Sequence, residues 1–161
     1  MRVRSKTTWS LRPITSDDVP LLVEIEKRTQ KSPWTSQNFE SEFTKQYSNS
    51  LVLTDDETDS QIAGYIVYWT MLDECEILNI VVDLPFQRQG FAKRMLRQAV
   101  TEATKRDIKK ALLNVRKSNS PAIELYQASG FAVTHVRKAF YSDGEDAYEL
   151  ALDPSEGAVR F

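Results

Sequence analysis

One cysteine, Cys75, and one histidine, His135, occur in the 161 residues. A single cysteine closes no intramolecular disulfide, and no Cys/His cluster is available to ligate a metal. The lone histidine also rules out any constellation that needs two. No apolar run approaches the ~20 residues of a membrane-spanning helix. The basic start, Met1 to Lys6, is not followed by the hydrophobic core of a signal peptide. Net charge is −2, and no long block of one sign interrupts the chain, so the basic stripe typical of nucleic-acid binders is missing. The local group Lys105, Arg106, Lys109 and Lys110 reads as a solvated helix end. These absences predict a cytoplasmic protein with no metal, no nucleic-acid partner and no membrane association.

What is present is ordinary globular material, 41% hydrophobic and 27% charged. There is no internal repeat and no Pro/Gly-rich linker. The length suits one domain, expected over 1–161 with its core at 9–152. Trp9 to Ile14 reads as a strand. Thr15-Ser16-Asp17-Asp18 then supplies capping and acidic first-turn residues for a helix to Thr29. Pro20 is tolerable there because it comes early. Ser32-Pro33-Trp34-Thr35 breaks the pattern, and Phe39, Phe43 and Tyr47, four apart, predict a second helix with one aromatic face. A hairpin of Ser50 to Thr54 and Ile62 to Met71 follows, and then a strand from Glu74 to Val82.

From Phe91 to Arg106, the positions Ala92, Met95, Leu96, Ala99, Val100 and Ala103 fall at helical spacing. Ala111 to Val115 reads as a short strand. Pro121 to Ser129 reads as a short helix, capped by Ser120 and stopped by Gly130. Phe131 to Tyr141 and Ala147 to Leu152 complete the set. The order βααβββαβαββ predicts a mixed α/β domain with a helix-covered sheet.

The stretch that carries chemistry runs from Asn79 through Lys93. A hydrophobic strand ends at Asp83-Leu84-Pro85 and passes through a loop into an amphipathic helix. A helix start offers unpaired N–H groups and the positive end of a dipole, which suits a pyrophosphate. Gly90 and the small Ala92 let phosphates come close to the backbone. Taken alone, Gln87-x-x-Gly90-x-Ala92 is a weak pattern, since a glycine at a strand-to-helix turn is usually turn chemistry.

Two matches in order give the pattern its context. Gln87-Arg88-Gln89-Gly90-Phe91-Ala92 resembles the Q/R-x-x-G-x-G/A loop of the GCN5-related N-acetyltransferase (GNAT) superfamily. Asn114 to Phe131 is similar to the same superfamily's V-R-x-x-N-x-x-A-I-x-L-Y-x-x-x-G-F signature. The resemblance spans about 9–152. It implies a twisted, mixed, mostly antiparallel sheet of about six to seven strands flanked by about four helices. It also implies acetyl-CoA as co-substrate, with no metal. Within the superfamily the chain looks like the ribosomal-protein-alanine N-acetyltransferase branch. The supporting features are Pro33-Trp34-Thr35, Ile77 to Asp83, Arg137-x-x-Phe140-Tyr141 and Glu145-Asp146-Ala147.

The resemblance implies roles residue by residue. The backbone of Ile80, Val81 and Val82 would pair with the pantetheine arm and polarise the thioester carbonyl. Arg88, Gln89, Gly90, Phe91, Ala92 and Lys93 would cradle the pyrophosphate. Asn119 would hydrogen-bond the cofactor arm, or else simply cap a helix. Tyr126 would protonate the departing thiolate. Trp34, Asn114, Phe140 and Tyr141 would line the acceptor groove, unless Trp34 packs in the core instead, and Glu145-Asp146 would draw a charged terminus or hold a turn. A protein N-terminus, a ribosomal one by this resemblance, is the expected partner of a monomer or weak dimer.

The proton acceptor departs from the branch pattern. Where that pattern has glutamate in L-E-V-R, this chain has Leu113-Asn114-Val115-Arg116, and an amide cannot take a proton as a carboxylate can. Glu76, on the preceding strand, matches the position that carries the base in other members, and Glu74 shares its parity; each either reaches the site or is a solvent-facing strand residue. An α-amine titrates about 2.5 units below lysine, or about 3.4 kcal/mol, and so demands less of a base. Three alternatives stand beside N-terminal acetylation: a lysine acceptor, a small amine, or a catalytically silent acetyl-CoA-binding module. Cys75, without a histidine partner motif, reads as a buried thiol and not as an acetylated nucleophile.

Overall fold

The structure, a computed structural model, describes residues 6–156. Residues Met1 to Ser5 and the Val159-Arg160-Phe161 tail lie outside the described residues. Seven strands form one sheet: β1 (Trp9–Pro13), β2 (Ser48–Asp55), β3 (Ile62–Met71), β4 (Glu74–Val82), β5 (Lys110–Arg116), β6 (Ala132–Arg137) and β7 (Ala147–Leu152). Among the described residues four α-helices accompany them: α1 (Val19–Thr29), α2 (Ser36–Glu42), α3 (Phe91–Lys105) and α4 (Ser120–Ala128). Spatial order is β1-β2-β3-β4-β5-β7-β6. Pairing is antiparallel throughout except between β4 and β5, the one parallel junction. The predicted element order and mixed sheet are both present.

The sheet separates two cores. Met95, Leu96, Ala99, Val100 and Ala103 of α3 bury one face, together with Tyr126 of α4 and Ile66, Ile77 and Leu113 of the sheet. Leu22 and Ile25 of α1 and Phe39 of α2 cover the other face, over Val52, Tyr65, Val67 and Val81. Arg28, near the end of α1, donates two hydrogen bonds of 2.7 and 2.6 Å to Asp83. That fork ties the α1 terminus to the end of β4.

Several boundaries differ from the sequence reading, each for a local reason. The second helix stops at Glu42, so Phe43 is its cap and Tyr47 lies beyond it, edge-on to Trp69 at 5.2 Å. Its carboxylate-bearing end is fixed instead by Trp69 Nε1 and Ser48 Oγ, which both donate to Glu42. The cap of α4 is Asn119, not Ser120; its side chain accepts from the Ala122 amide. β6 ends at Arg137, and Phe140 and Tyr141 sit in the loop to β7 after Ala139 turns at φ 49°. Gly130 does stop α4, at φ 103°.

Candidate active site

The site begins where β4 leaves β5. β4 pairs with β3 along its length, but with β5 only from Glu74 to Ile77. No strand pairs with Leu78–Val82 on that side, so a backbone edge faces open space. A bulge sits at the same point: Val67 pairs with Asn79 and Tyr68 with Ile77, leaving Leu78 as the extra residue. The bulge turns Ile77 and Ile80 toward one core and Leu78 and Val81 toward the other. Gly64 of β3 lies against this stretch. A Cβ there would stand 2.4 Å from the Val81 carbonyl oxygen, so only glycine lets the strands close up.

A cavity of about 570 Å³ opens on the free β4 edge, between the starts of α3 and α4. Ile80, Val82, Gly90, Ala92 and Lys93 line it, as does Arg88; Gln89 does not. The loop into α3 turns left-handed twice, at Arg88 (φ 62°) and at Gly90 (φ 81°). Gly90 caps α3 with no side-chain hydrogen bond, and the first helical bond is Arg94 N to the Gly90 carbonyl. The amides of Phe91, Ala92 and Lys93 therefore have no intrahelical acceptor. An uncapped helix start, two cationic side chains and a free strand edge fit a phosphate-bearing group with a peptide-like arm.

A smaller cavity, about 160 Å³, lies on the other side of the bulge. The two cavities share Gln30, Ile80, Asn119 and Tyr126. Trp34, Asn114 and Tyr141 line the smaller one. Trp34 also packs, its ring 5.2 Å from Phe39. Phe140 lines neither cavity; its ring is 47% exposed and edge-on to Tyr141. Asn119 caps α4 and lines both cavities.

Tyr126 is buried where the cavities meet, and burial, with Tyr141 nearby, pushes its phenol well above the ordinary value. It keeps its proton at neutral pH, as a general acid must. Glu74 and Glu76 line neither cavity. Glu74 is half exposed and 3.7 Å from Lys110. Glu76 is partly buried between Trp69 and Leu112, on the face from which Asn114 also emerges. Burial first, and Glu74 next, raise the Glu76 carboxyl above its ordinary value. Cys75 lies wholly within the core, its thiol pushed up to about 12 by burial, which removes it as a nucleophile.

Two features of the smaller cavity were not read from the sequence. Glu26, fully buried, accepts from Tyr65 Oη, from Asn79 Nδ2 at 2.6 Å and from the Trp34 amide at 2.9 Å. It joins α1, the bulge and the loop after α1. Its signal was a carboxylate four residues after Leu22 and beside Ile25, on the helix face that should be apolar. Arg116 crosses the cavity mouth. It donates to Asp143, Glu145 and Ser32 and stacks 4.0 Å from the Tyr141 ring. Glu145 is thereby occupied, also accepting from the Ser118 amide, and Asp146 accepts from the Ala139 amide. The acidic pair holds turns.

No helix of the described residues is long and apolar enough to cross a membrane, and no described group of His, Cys, Asp and Glu is arranged to hold a metal. The acetyltransferase (GNAT) family profile matches residues 19–131. The [ribosomal protein bS18]-alanine N-acetyltransferase of Escherichia coli K12 is 34% identical over 146 residues, 89% of this chain and 96% of that protein. Its namesake from Salmonella typhimurium LT2 is 32% identical over 142 residues, 86% and 93% of the two chains. The crystal structure of the Escherichia coli ribosomal-protein-S18-alanine N-acetyltransferase superposes with a TM-score of 0.82 at 31% identity, covering 96% of this chain and 100% of that one. Arabidopsis thaliana NAA60, solved with acetyl-CoA, shares the fold at 20% identity with a TM-score of 0.80, covering 91% and 98%. A family profile over most of the chain and relatives at 34% identity agree with this fold, and the chain belongs to the acetyltransferase (GNAT) family.

Proposed function

We propose that the chain acetylates the α-amine of a protein N-terminus, alanine first, with a ribosomal protein as acceptor. The observation that carries this reading is the meeting of two cavities at Ile80, Asn119 and Tyr126. One suits a phosphate-bearing, pantetheine-like ligand; the other admits a narrow acceptor. Acetyl-CoA, when bound, supplies an activated acetyl thioester. The free β4 edge at Ile80–Val82 holds the arm and directs N–H groups at the carbonyl. Arg88, Lys93 and the α3 amides hold the pyrophosphate, with Gln89 and Phe91 shaping the loop. Trp34, Tyr141 and Asn114 orient the acceptor; Phe140 lies outside the cavity.

Tyr126 donates its proton to the departing sulfur. Glu76, through water, takes the proton shed by the amine after the new bond forms; Glu74 is the weaker candidate because Lys110 neighbours it. Support for the substrate comes from the names of relatives at 34% identity and from the Asn114 position, which suits an amine already partly neutral near pH 7. The protein works in the cytoplasm as a monomer or weak dimer and needs no metal. Incubation with acetyl-CoA and a peptide of the bS18 N-terminus, followed by fragment mass spectrometry, tests this reading. An acetyl group on the first residue is expected. Acetyl found only on lysine side chains would reject the reading.

A further inference from the structure

Among the described residues, one buried side-chain polar atom has no hydrogen-bond partner: Asn114 Oδ1. It belongs to a residue lining the acceptor cavity, on β5 beside the edge that β4 abandons. Native proteins seldom leave a buried acceptor unpaired, because the desolvated group then loses its bonds to water with nothing in return. Several charged groups around it are already engaged. On α1, Glu26 already accepts three hydrogen bonds. Lys31, just beyond α1, faces Glu145, and Arg116 is held by Asp143 and Glu145. On β7, Glu149 pairs in register with Asn114, but its carboxylate is taken by Arg137, Thr134 and His135. His135, on β6, contacts that carboxylate and does not line the cavity. Glu76, on β4, and the phenols of Tyr126 and Tyr141 complete the surroundings.

We infer that Asn114 is the positioning residue for the acceptor amine, its Oδ1 accepting one N–H of the neutral α-amine. This rests on the N-terminal acetyltransferase reading above. A neutral amine has two N–H groups and one lone pair; fixing an N–H on Oδ1 turns the lone pair away from β5, toward the thioester. An ammonium bound there would have no lone pair to offer, and an amide oxygen does not remove its proton. The site therefore accepts amines that have lost their proton in solution. In the transfer, the amine lone pair forms the C–N bond and the C–S bond breaks. The sulfur takes the Tyr126 proton. The surplus proton on nitrogen passes to Glu76 through water and returns, through water, to the Tyr126 phenolate. Amine plus thioester thus give amide plus thiol with no net change in protons.

Three readouts test this on the full chain with acetyl-CoA and an alanine-terminated peptide. In the wild type, the acid limb of kcat/KM follows the α-amine pKa of the peptide itself, about 7.7–8.0 for an ordinary terminus. Asn114→Leu, similar in shape, lowers kcat at least about tenfold, while Tm of the free protein holds or rises by a few degrees as an unpaired acceptor leaves the interior. Asn114→Asp restores a proton acceptor and moves the acid limb about one pH unit or more lower. An Asn114→Leu protein with unchanged kcat, or with a Tm several degrees lower, overturns the inference, the second because Asn114 would then be structural. A wild-type limb well below the peptide's own pKa also overturns it. Wild-type turnover confined to N-terminally blocked lysine peptides would instead remove the substrate reading, and the inference with it.

Discussion

At the scale of single residues, two side chains carry the proposed acid and base. Tyr126 is buried at the junction of two cavities, and its phenol is pushed upward by that burial. Tyr126→Phe is expected to lower kcat by about 10²-fold, with Tm nearly unchanged because the ring still fills the same core space. Steady-state kinetics and a thermal melt check both halves; an unaltered kcat would dismiss the assignment. Glu76 has the opposite logic. Its folded-state pKa is raised, so the folded protein favours the protonated form and ionisation above that pKa opposes folding. Glu76→Gln should therefore raise Tm at pH 7–8 and leave it unchanged near pH 3, where both side chains are neutral. Turnover should fall in the same variant; equal turnover across the whole pH range would end the proton-acceptor proposal. Tyr126 was legible because it stands inside a long signature. Glu26 was not, because a carboxylate on a core-facing helix position acquires meaning only when Tyr65, Asn79 and the Trp34 amide arrive from three other segments. Glu26→Ala leaves those three donors unpaired and should cost about 3 kcal/mol or more, measured by denaturant unfolding.

At the scale of elements, the regular pieces followed from spacing and the irregular ones did not. The apolar stripe of α3 and the Gly130 stop of α4 could be read directly, since each depends on neighbours a few residues away. The end of α2 could not. Tyr47 continues the four-residue spacing of Phe39 and Phe43, yet it packs on Trp69 from a turn. The bulge at Leu78 was equally hidden, because it is set by how β3 and β5 lie beside β4. Gly64 is the accessible mark of that geometry. Gly64→Ala would bring its Cβ to 2.4 Å from the Val81 carbonyl, forcing β3 from β4 at a cost of about 1–3 kcal/mol. At the α3 start, Gly90 sits at φ 81° with open space around it, so its value is conformational. Gly90→Val should misplace the α3 amides and raise KM for acetyl-CoA about tenfold or more, leaving the acceptor KM near its original value. Initial-rate measurements with each substrate varied in turn distinguish these outcomes.

At the scale of the whole molecule, one parallel junction in an otherwise antiparallel sheet creates both cavities. β4 and β5 diverge after Ile77, the helices α3 and α4 start on one side of the gap, and the loops around Trp34 and Tyr141 close on the other. Carboxylates held by an ion pair across the sheet end and by a local turn set the molecule's acid sensitivity. Arg28 holds Asp83 below its ordinary value, and the Thr58 hydroxyl and amide lower Asp55 to about 2. A depressed folded-state pKa contributes stability above the unfolded value, about 3.9 for aspartate, and loses it as pH falls toward the folded value. Tm should therefore fall between about pH 4 and pH 2, and Asp83→Asn should flatten part of that fall. The mixed, mostly antiparallel sheet followed from the family signatures; its strand order, and the strap of Arg116 over Tyr141 between side chains 25 residues apart in sequence, did not.

The most direct test of the central claim is the release of CoA from acetyl-CoA with two matched peptides. One carries a free N-terminal alanine; the other has a blocked N-terminus and an internal lysine. Turnover on the free alanine peptide alone is the predicted result, as the proposed acceptance of a neutral α-amine requires. Turnover on the blocked lysine peptide alone would contradict it, leaving the family and its fold intact but the acceptor wrong.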